Sequence, residues 1–178
     1  MNILTMGVSG SGKSTIGKKI AEHFDLPFIE GDDYHPPANV AKMKAGKPLN
    51  DEDRQPWLEA LGEVLAKAEG PRDSGVEGPR DSGAESKKGA VLGSSALKEA
   101  YRNTLREPLQ GKLIIIFLDG SREVLLDRLQ SRKDHFFPPH LLDSQLDTLE
   151  PPKGAIRIDI DQSIEEIVAK AIAALSDN

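Results

Sequence analysis

The segment Gly7-Val8-Ser9-Gly10-Ser11-Gly12-Lys13-Ser14 limits this chain's folding more than any other stretch. It fits the P-loop pattern of Gly, four residues, then Gly-Lys-Ser/Thr, which a chain of this composition matches by chance about once in a hundred. Its surroundings are equally specific. The apolar run Asn2 to Met6 directly precedes it as a strand, and Ile16, Ile20 and Phe24 recur behind it at helical spacing. A strand, a glycine-rich bend and a helix N-terminus turn consecutive backbone N–H groups toward one point, where the helix dipole adds partial positive charge. Gly7, Val8, Ser9, Gly10, Ser11, Gly12, Lys13, Ser14 and Thr15 are therefore expected to bind the phosphates of a nucleotide. Lys13 reaches the β- and γ-phosphates in this reading, and the Ser14 hydroxyl ligates Mg²⁺.

Such a loop demands a parallel sheet behind it, and the rest of the chain supplies the strands. Pro27 to Glu30, Ala90 to Ser94, Leu113 to Asp119 and Ala155 to Ile160 are short apolar runs bounded by Gly, Pro, Asp or Ser. Leu113 to Leu118 is continuously apolar, as a strand covered on both faces would be. Helical stretches lie between the runs. The last opens with a capping box, Ser163 with Glu166, and carries Ile164, Ile167, Val168, Ala171, Ile172 and Leu175 on one stripe. The expected architecture is a three-layer α/β fold with five parallel strands and right-handed crossovers. At 178 residues the chain is expected to form one domain, 1–178.

Composition removes several functional classes. There are no cysteines, so disulfides, thiolate metal sites and thiol nucleophiles are excluded, and a cytoplasmic setting fits. With 23 basic against 29 acidic residues the net charge is −6, which opposes a general grip on nucleic acid. No apolar run reaches the roughly 18 residues of a membrane span. The expected partner is a small molecule, with no nucleic acid and no membrane. The segment from Glu69 to Ala84 stands apart, because Glu-Gly-Pro-Arg-Asp-Ser-Gly occurs twice in tandem, at 69–75 and 77–83. So poor in apolar side chains, 69–88 is expected to be a flexible surface loop.

A P-loop alone does not separate kinases from switches. No Asn-Lys-x-Asp element for guanine is present, and the size suits a small-molecule or nucleotide kinase. Phosphoryl transfer then needs a carboxylate at the acceptor hydroxyl, an acceptor pocket and cations on the moving phosphoryl. Phe28 to His35 ends the second strand, where parallel sheets bind ligands. If the strand continues, Glu30 and Asp32 share a face and Asp33 points away. Asp32 is then the group that binds or deprotonates the acceptor, and Glu30 reaches Mg²⁺ through water. The alternative is a turn capped by Asp32 and Asp33. His35 is either a turn residue or a hydroxyl contact.

Asn50 or Asp51 caps the helix that follows. Arg54 is either an anion-binding fork or a partner of Asp51, and Trp57 belongs to the core. Lys98 and Arg102, at i and i+4, present two cations to an anion or form a solvated basic face. Arg128 and Arg132 have the same spacing and end a helix beginning near Ser121. Beyond it, about 131–140, with Asp134-His135-Phe136-Phe137-Pro138-Pro139-His140, reads as a lid whose arginines close on the phosphates; the alternative is favourable pairing of cations with a helix C-terminus.

Taken together these residues resemble the gluconate kinase (gluconokinase) family of bacterial type. The resemblance is carried by Met6 to Ser14, Gly31 to Pro36, Pro48 to Arg54 with Pro56-Trp57-Leu58, Ser95 to Lys98 with Tyr101-Arg102, His135-Phe136-Phe137, and Ser144-Gln145 with Thr148 to Pro152. It implies ATP-dependent phosphorylation of D-gluconate on its 6-hydroxyl, with ATP as the nucleotide on residues 7–15, and an adenylate-kinase-like core with a closing lid. It also implies Mg²⁺ and a homodimer. Carried onto this sequence, catalysis falls to Lys13, Asp32, Arg128 and Arg132, and gluconate binding to Asp32, His35, Arg54, Lys98, Arg102 and His135. Ser94, Asn103 and Asp134 depart from the family's usual Cys, Asp and Gly, and the tandem repeat is additional. Shikimate or a nucleoside monophosphate is the alternative acceptor, and a nucleotide-binding regulator without turnover the alternative class.

Overall fold

The computed structural model describes residues 1–70, 89–131 and 138–177. Five parallel strands, β1 (Asn2–Met6), β2 (Phe28–Glu30), β3 (Val91–Gly93), β4 (Leu113–Asp119) and β5 (Ile156–Asp159), form one sheet in the order β2-β3-β1-β4-β5. Each strand predicted from sequence is present: β1 and β4 keep the expected bounds, β2 loses one residue at its start, and β3 and β5 lose one at each end. The helices are α1 (Lys13–Phe24), α2 (Pro37–Lys44), α3 (Asp51–Glu69), α4 (Glu99–Arg106), α5 (Arg122–Gln130), α6 (Pro139–Thr148) and α7 (Ile164–Ser176).

Alternation along β1 separates two cores. Ile3 packs with Ile16, Ile20, Ile116, Leu118, Leu125, Leu142 and Ile167, placing α1, α5, α6 and α7 on one face. Leu4 and Met6 pack with Trp57, Leu58, Leu61, Leu65 and Leu105, placing α3 and α4 on the other. This is the expected three-layer arrangement. Each fully buried Leu or Ile adds roughly 1.5–3 kcal/mol, so α3 is held chiefly by its stripe at 58, 61 and 65.

The connection after β1 goes to one side of the sheet and that after β3 to the other, leaving a crevice at the strands' C-terminal ends. There the P-loop follows β1, a single 3-10 turn (Gly31–Tyr34) follows β2, and Ser94 to Lys98 follows β3. The predicted capping box at α7 forms, and Asn50, one of the two expected caps of α3, forms a second. Asp53 N–H donates to Asn50 Oδ1 at 2.8 Å and Asn50 N–H returns to Asp53 Oδ2 at 2.9 Å, while Ser163 and Glu166 do the same at α7. Glu69, expected to open the loop, belongs to α3 instead. Its carboxylate accepts the N–H groups of Gln110 and Gly111. The remainder of that loop, 71–88, lies outside the described residues.

Candidate active site

The P-loop bends tightly because glycines occupy its three positive-φ positions, Gly7, Gly10 and Gly12. Gly10 has φ 85° and Gly12 φ 94°, and a Cβ on Gly10 would lie 2.9 Å from Leu129 Cγ. Gly12 caps α1 without any side-chain hydrogen bond, and no acidic residue stands in the helix's first turn. The opening N–H groups of α1 therefore face the loop's centre with no side-chain cap, as an anion requires. Lys13 folds across the loop with Nζ 3.1 Å from Val8 O. Ser14 is half-buried beside it, and Thr15 is exposed. Thr5 Oγ1, 3.3 Å from Lys13 O, fastens the helix start to β1.

Opposite the loop is a cleft of about 600 Å³, lined by Pro48, Leu49, Asn50, Asp51, Glu52, Arg54, Lys98, Tyr101, Ser144 and Thr148. Two of the expected substrate cations, Arg54 and Lys98, are in it. Arg54 does not pair with Asp51: its Nη1 donates to Leu49 O at 2.6 Å, and its guanidinium lies 5.7 Å from the Tyr101 ring centre. Asp51 instead holds Lys98, through both carboxylate oxygens at 3.0 and 2.8 Å, and accepts the Tyr101 hydroxyl. These bonds hold the Asp51 carboxyl below the usual carboxylate range and raise Lys98. Burial, then the bond to Asp51, pushes the Tyr101 phenol up.

Arg102 is a correction. Lys98 is the cap of α4 and not part of it, so the two share no helical face. Arg102 is 0% exposed and its donors go elsewhere: to Ala96 O and Leu97 O (both 2.9 Å), to Glu150 O (2.9 Å) and to the Glu99 carboxylate (2.9 and 2.7 Å). It fastens the turn after β3 to the segment preceding β5 and does not line the cleft that holds Arg54 and Lys98.

Asp32 is a second correction, of geometry. The strand stops at Glu30, so pleat alternation does not decide between Asp32 and Asp33; both stand on the 3-10 turn and both are exposed. Asp32 has a side chain 82% exposed, with Oδ1 3.9 Å from His35 Nε2. His35, only 7% exposed in its side chain, stacks on Trp57 at 4.2 Å between ring centres, and its Nδ1 lies 3.4 Å from Asn39 Nδ2. Burial lowers the His35 pKa; Asp32 opposes the shift and Arg54 adds to it. Trp57 Nε1 donates to Gly31 O at 2.8 Å, tying the turn to α3. Glu30 ends β2, half-buried.

Arg128 lies on α5, near the end of the helix expected to begin near Ser121. Its Nη2 donates to Ile160 O, and a Cβ on Gly12 would lie 3.9 Å from its Nη1, which places the guanidinium against the P-loop. Arg132 and His135 lie outside the described residues, as does most of the expected lid. Its final part is corrected: Pro138 caps α6, and Pro139 and His140 form the first turn of that helix. Among the described residues no group of three or more His, Asp or Glu is placed to hold a metal ion, and no helix is long and apolar enough to cross a membrane.

Sequence reasoning took Asp51 as a cap or as a partner of Arg54 and missed Ser144, Thr148 and Gln145 as site residues. A signal existed. Leu142, Leu146 and Leu149 mark one face of a helix at i, i+4 and i+7, leaving Ser144 and Thr148 together on another.

Comparison with known proteins decides the family. A probable gluconokinase from Xenopus tropicalis is 40% identical over 96% of this chain and 90% of its own length. The chain belongs to the gluconokinase family. The thermoresistant gluconokinase of Escherichia coli is 37% identical, with 96% of this chain and 90% of the relative covered. A gluconokinase crystal structure from Sinorhizobium meliloti superposes with a TM-score of 0.82 at 45% identity, covering 99% of this chain and 91% of that one. The sequence profile of the shikimate kinase family matches residues 9–70. The fold is thus that of P-loop kinases, and the chain is a kinase of small molecules.

Proposed function

We propose that this chain transfers the γ-phosphoryl of ATP to the 6-hydroxyl of D-gluconate, giving 6-phospho-D-gluconate and ADP. The observation that carries the reading is the cleft in which Arg54 and Lys98 stand beside the acceptor groups Asp51, Ser144 and Thr148. That set matches one carboxylate followed by a chain of hydroxyls. The near end-to-end likeness to gluconokinases supports the same acceptor. The shikimate kinase match takes in the P-loop from Ser9 onward, Asp32 and Arg54 but stops before Lys98, Tyr101, Ser144 and Thr148. It therefore bears on the nucleotide side more than on the acceptor.

In this mechanism the P-loop amides and Lys13 hold the triphosphate. Asp32, projecting from its turn, accepts the proton of the 6-hydroxyl as that oxygen forms its bond to the γ-phosphorus. The bond from the γ-phosphorus to the bridging oxygen breaks, and ADP leaves. His35, braced by Trp57, fixes the approach to Asp32. Arg54 and Lys98 anchor the substrate carboxylate, and Lys98 exchanges part of its bond to Asp51 for that contact. Arg128, with Arg132, balances charge growing on the phosphoryl, and His135 contacts the substrate from the lid. The Ser14 hydroxyl and, through water, Glu30 would hold Mg²⁺, whose chemistry is to neutralise phosphate charge. A homodimer in the cytoplasm belongs to the same reading and rests on the family resemblance.

The test is ADP release measured with gluconate, other aldonates, shikimate and nucleoside monophosphates as acceptors. Turnover with gluconate and formation of 6-phosphogluconate are expected. Turnover with shikimate or a monophosphate and none with gluconate overturns the reading.

A further inference from the structure

Helix α6 touches both halves of the site with consecutive residues. Ser144 and Thr148 line the acceptor cleft. Gln145, between them in sequence, turns to the P-loop: Ser9 N–H donates to its Oε1 at 2.7 Å, and its Nε2 donates to Ser9 Oγ at 2.9 Å. A backbone N–H can only donate, so the amide's orientation is fixed. The helix itself is firmly held. Leu142 is fully buried in the core beneath α1 and α5, and Asp143 is bound by Arg122 of α5 through both carboxylate oxygens, at 2.6 and 3.1 Å.

We infer that Gln145 is a positioning residue that fixes the spacing between the phosphate loop and the acceptor cleft. The inference rests on the proposed transfer to gluconate. Ser9 precedes Gly10, a left-handed residue of the P-loop, so a shift of Ser9 moves the loop's bend and the phosphates it cradles. Cleft and loop are otherwise built from different elements, with α3 and the turn after β3 on one side and β1 with α1 on the other. Gln145 joins them through two bonds made from a helix that also walls the cleft. Its effect belongs to the transfer step, where a misplacement of about 1 Å costs as much as 100-fold, rather than to the binding of either substrate.

The experiment compares wild type with Gln145→Ala, Ser9→Ala and the double variant. It measures kcat, both KM values, thermal midpoint, and ADP released to water without gluconate. For Gln145→Ala we expect kcat on gluconate to fall roughly 10- to 100-fold, both KM values to stay within about 3-fold, and the share of ATP lost to water to rise. Ser9→Ala removes only the Oγ partner and has a smaller effect; the double variant resembles Gln145→Ala alone, because the bonds are shared. An active wild type with unchanged kcat and water partitioning in Gln145→Ala overturns the inference. So does a loss tracking a lowered thermal midpoint with unchanged partitioning, which marks a brace for folding. A wild type inactive on gluconate overturns the functional reading instead.

Discussion

Asp32 stands on a turn with little around it except His35, so its role depends on charge and reach more than on burial. Asp32→Asn keeps the side chain's size but loses the proton-accepting charge. Transfer should drop about 10²- to 10⁴-fold with nucleotide affinity preserved, as kcat and equilibrium titration of ATP would report. Asp33→Asn is the control, and the reverse ranking assigns the role to the other carboxylate. Lys13→Ala should lower kcat at least ~10²-fold in a protein whose circular dichroism and thermal midpoint are unchanged. His35 gives a pH signature. Its lowered pKa means the unfolded chain takes up the proton first as pH falls below about 6.5. Stability is therefore full above that value and declines as pH falls through the folded pKa. Thermal midpoints between pH 5 and 8 should show this slope in wild type and a flatter one in His35→Asn.

At the scale of elements, α3 and α4 show which local signals are readable and which are not. The Asn50 cap with Asp53 at its third position needs only three residues of sequence to be recognised. Asn50→Ala should cost about 1 kcal/mol in chemical denaturation. The paired cations at 98 and 102 misled for a physical reason. Spacing of four residues means a shared face only inside a helix, and α4 begins at Glu99, after Lys98. What buries Arg102 is the convergence of carbonyls from Ala96, Leu97 and Glu150, the last 48 residues away, and no local pattern encodes that. Arg102→Met should lose about 2 kcal/mol or more, because Ala96 O and Glu150 O lose the guanidinium donor, whereas Leu97 O keeps the N–H of Glu150. In the surviving folded fraction the KM for gluconate should move little, opposite to the result expected for Arg54→Met. The P-loop, the five strands and the α7 cap were legible because each is local. The 3-10 turn under Asp32 was legible only as an alternative: Gly31, Asp32 and Asp33 are residues that end strands, but they do not say which carboxylate then faces the site.

Across the whole molecule, catalytic parts gather at the C-terminal edge of the sheet, and the duplicated segment departs from the other edge. Its flanks are joined there: Gly89 N–H donates to Ala68 O at 2.7 Å, and Ala90 N–H donates to Asn2 Oδ1 at the start of β1. Deleting 77–84 leaves this joint intact. The change in closure entropy is only about 0.6 kcal/mol, so thermal midpoint and kcat/KM should scarcely move. A collapse of either would show that the repeat packs against the core. The same joint makes the gap between Gly70 and Gly89 a natural splice port. A reporter or sensor domain whose own termini lie close together, inserted there, would hang behind the enzyme, and its stretching or unfolding would be felt first at the Ala68–Gly89 clasp and the root of β1. Phosphate-loop geometry would change only through that strand, which makes kinase output a readout of tension on a guest domain that never approaches the substrate.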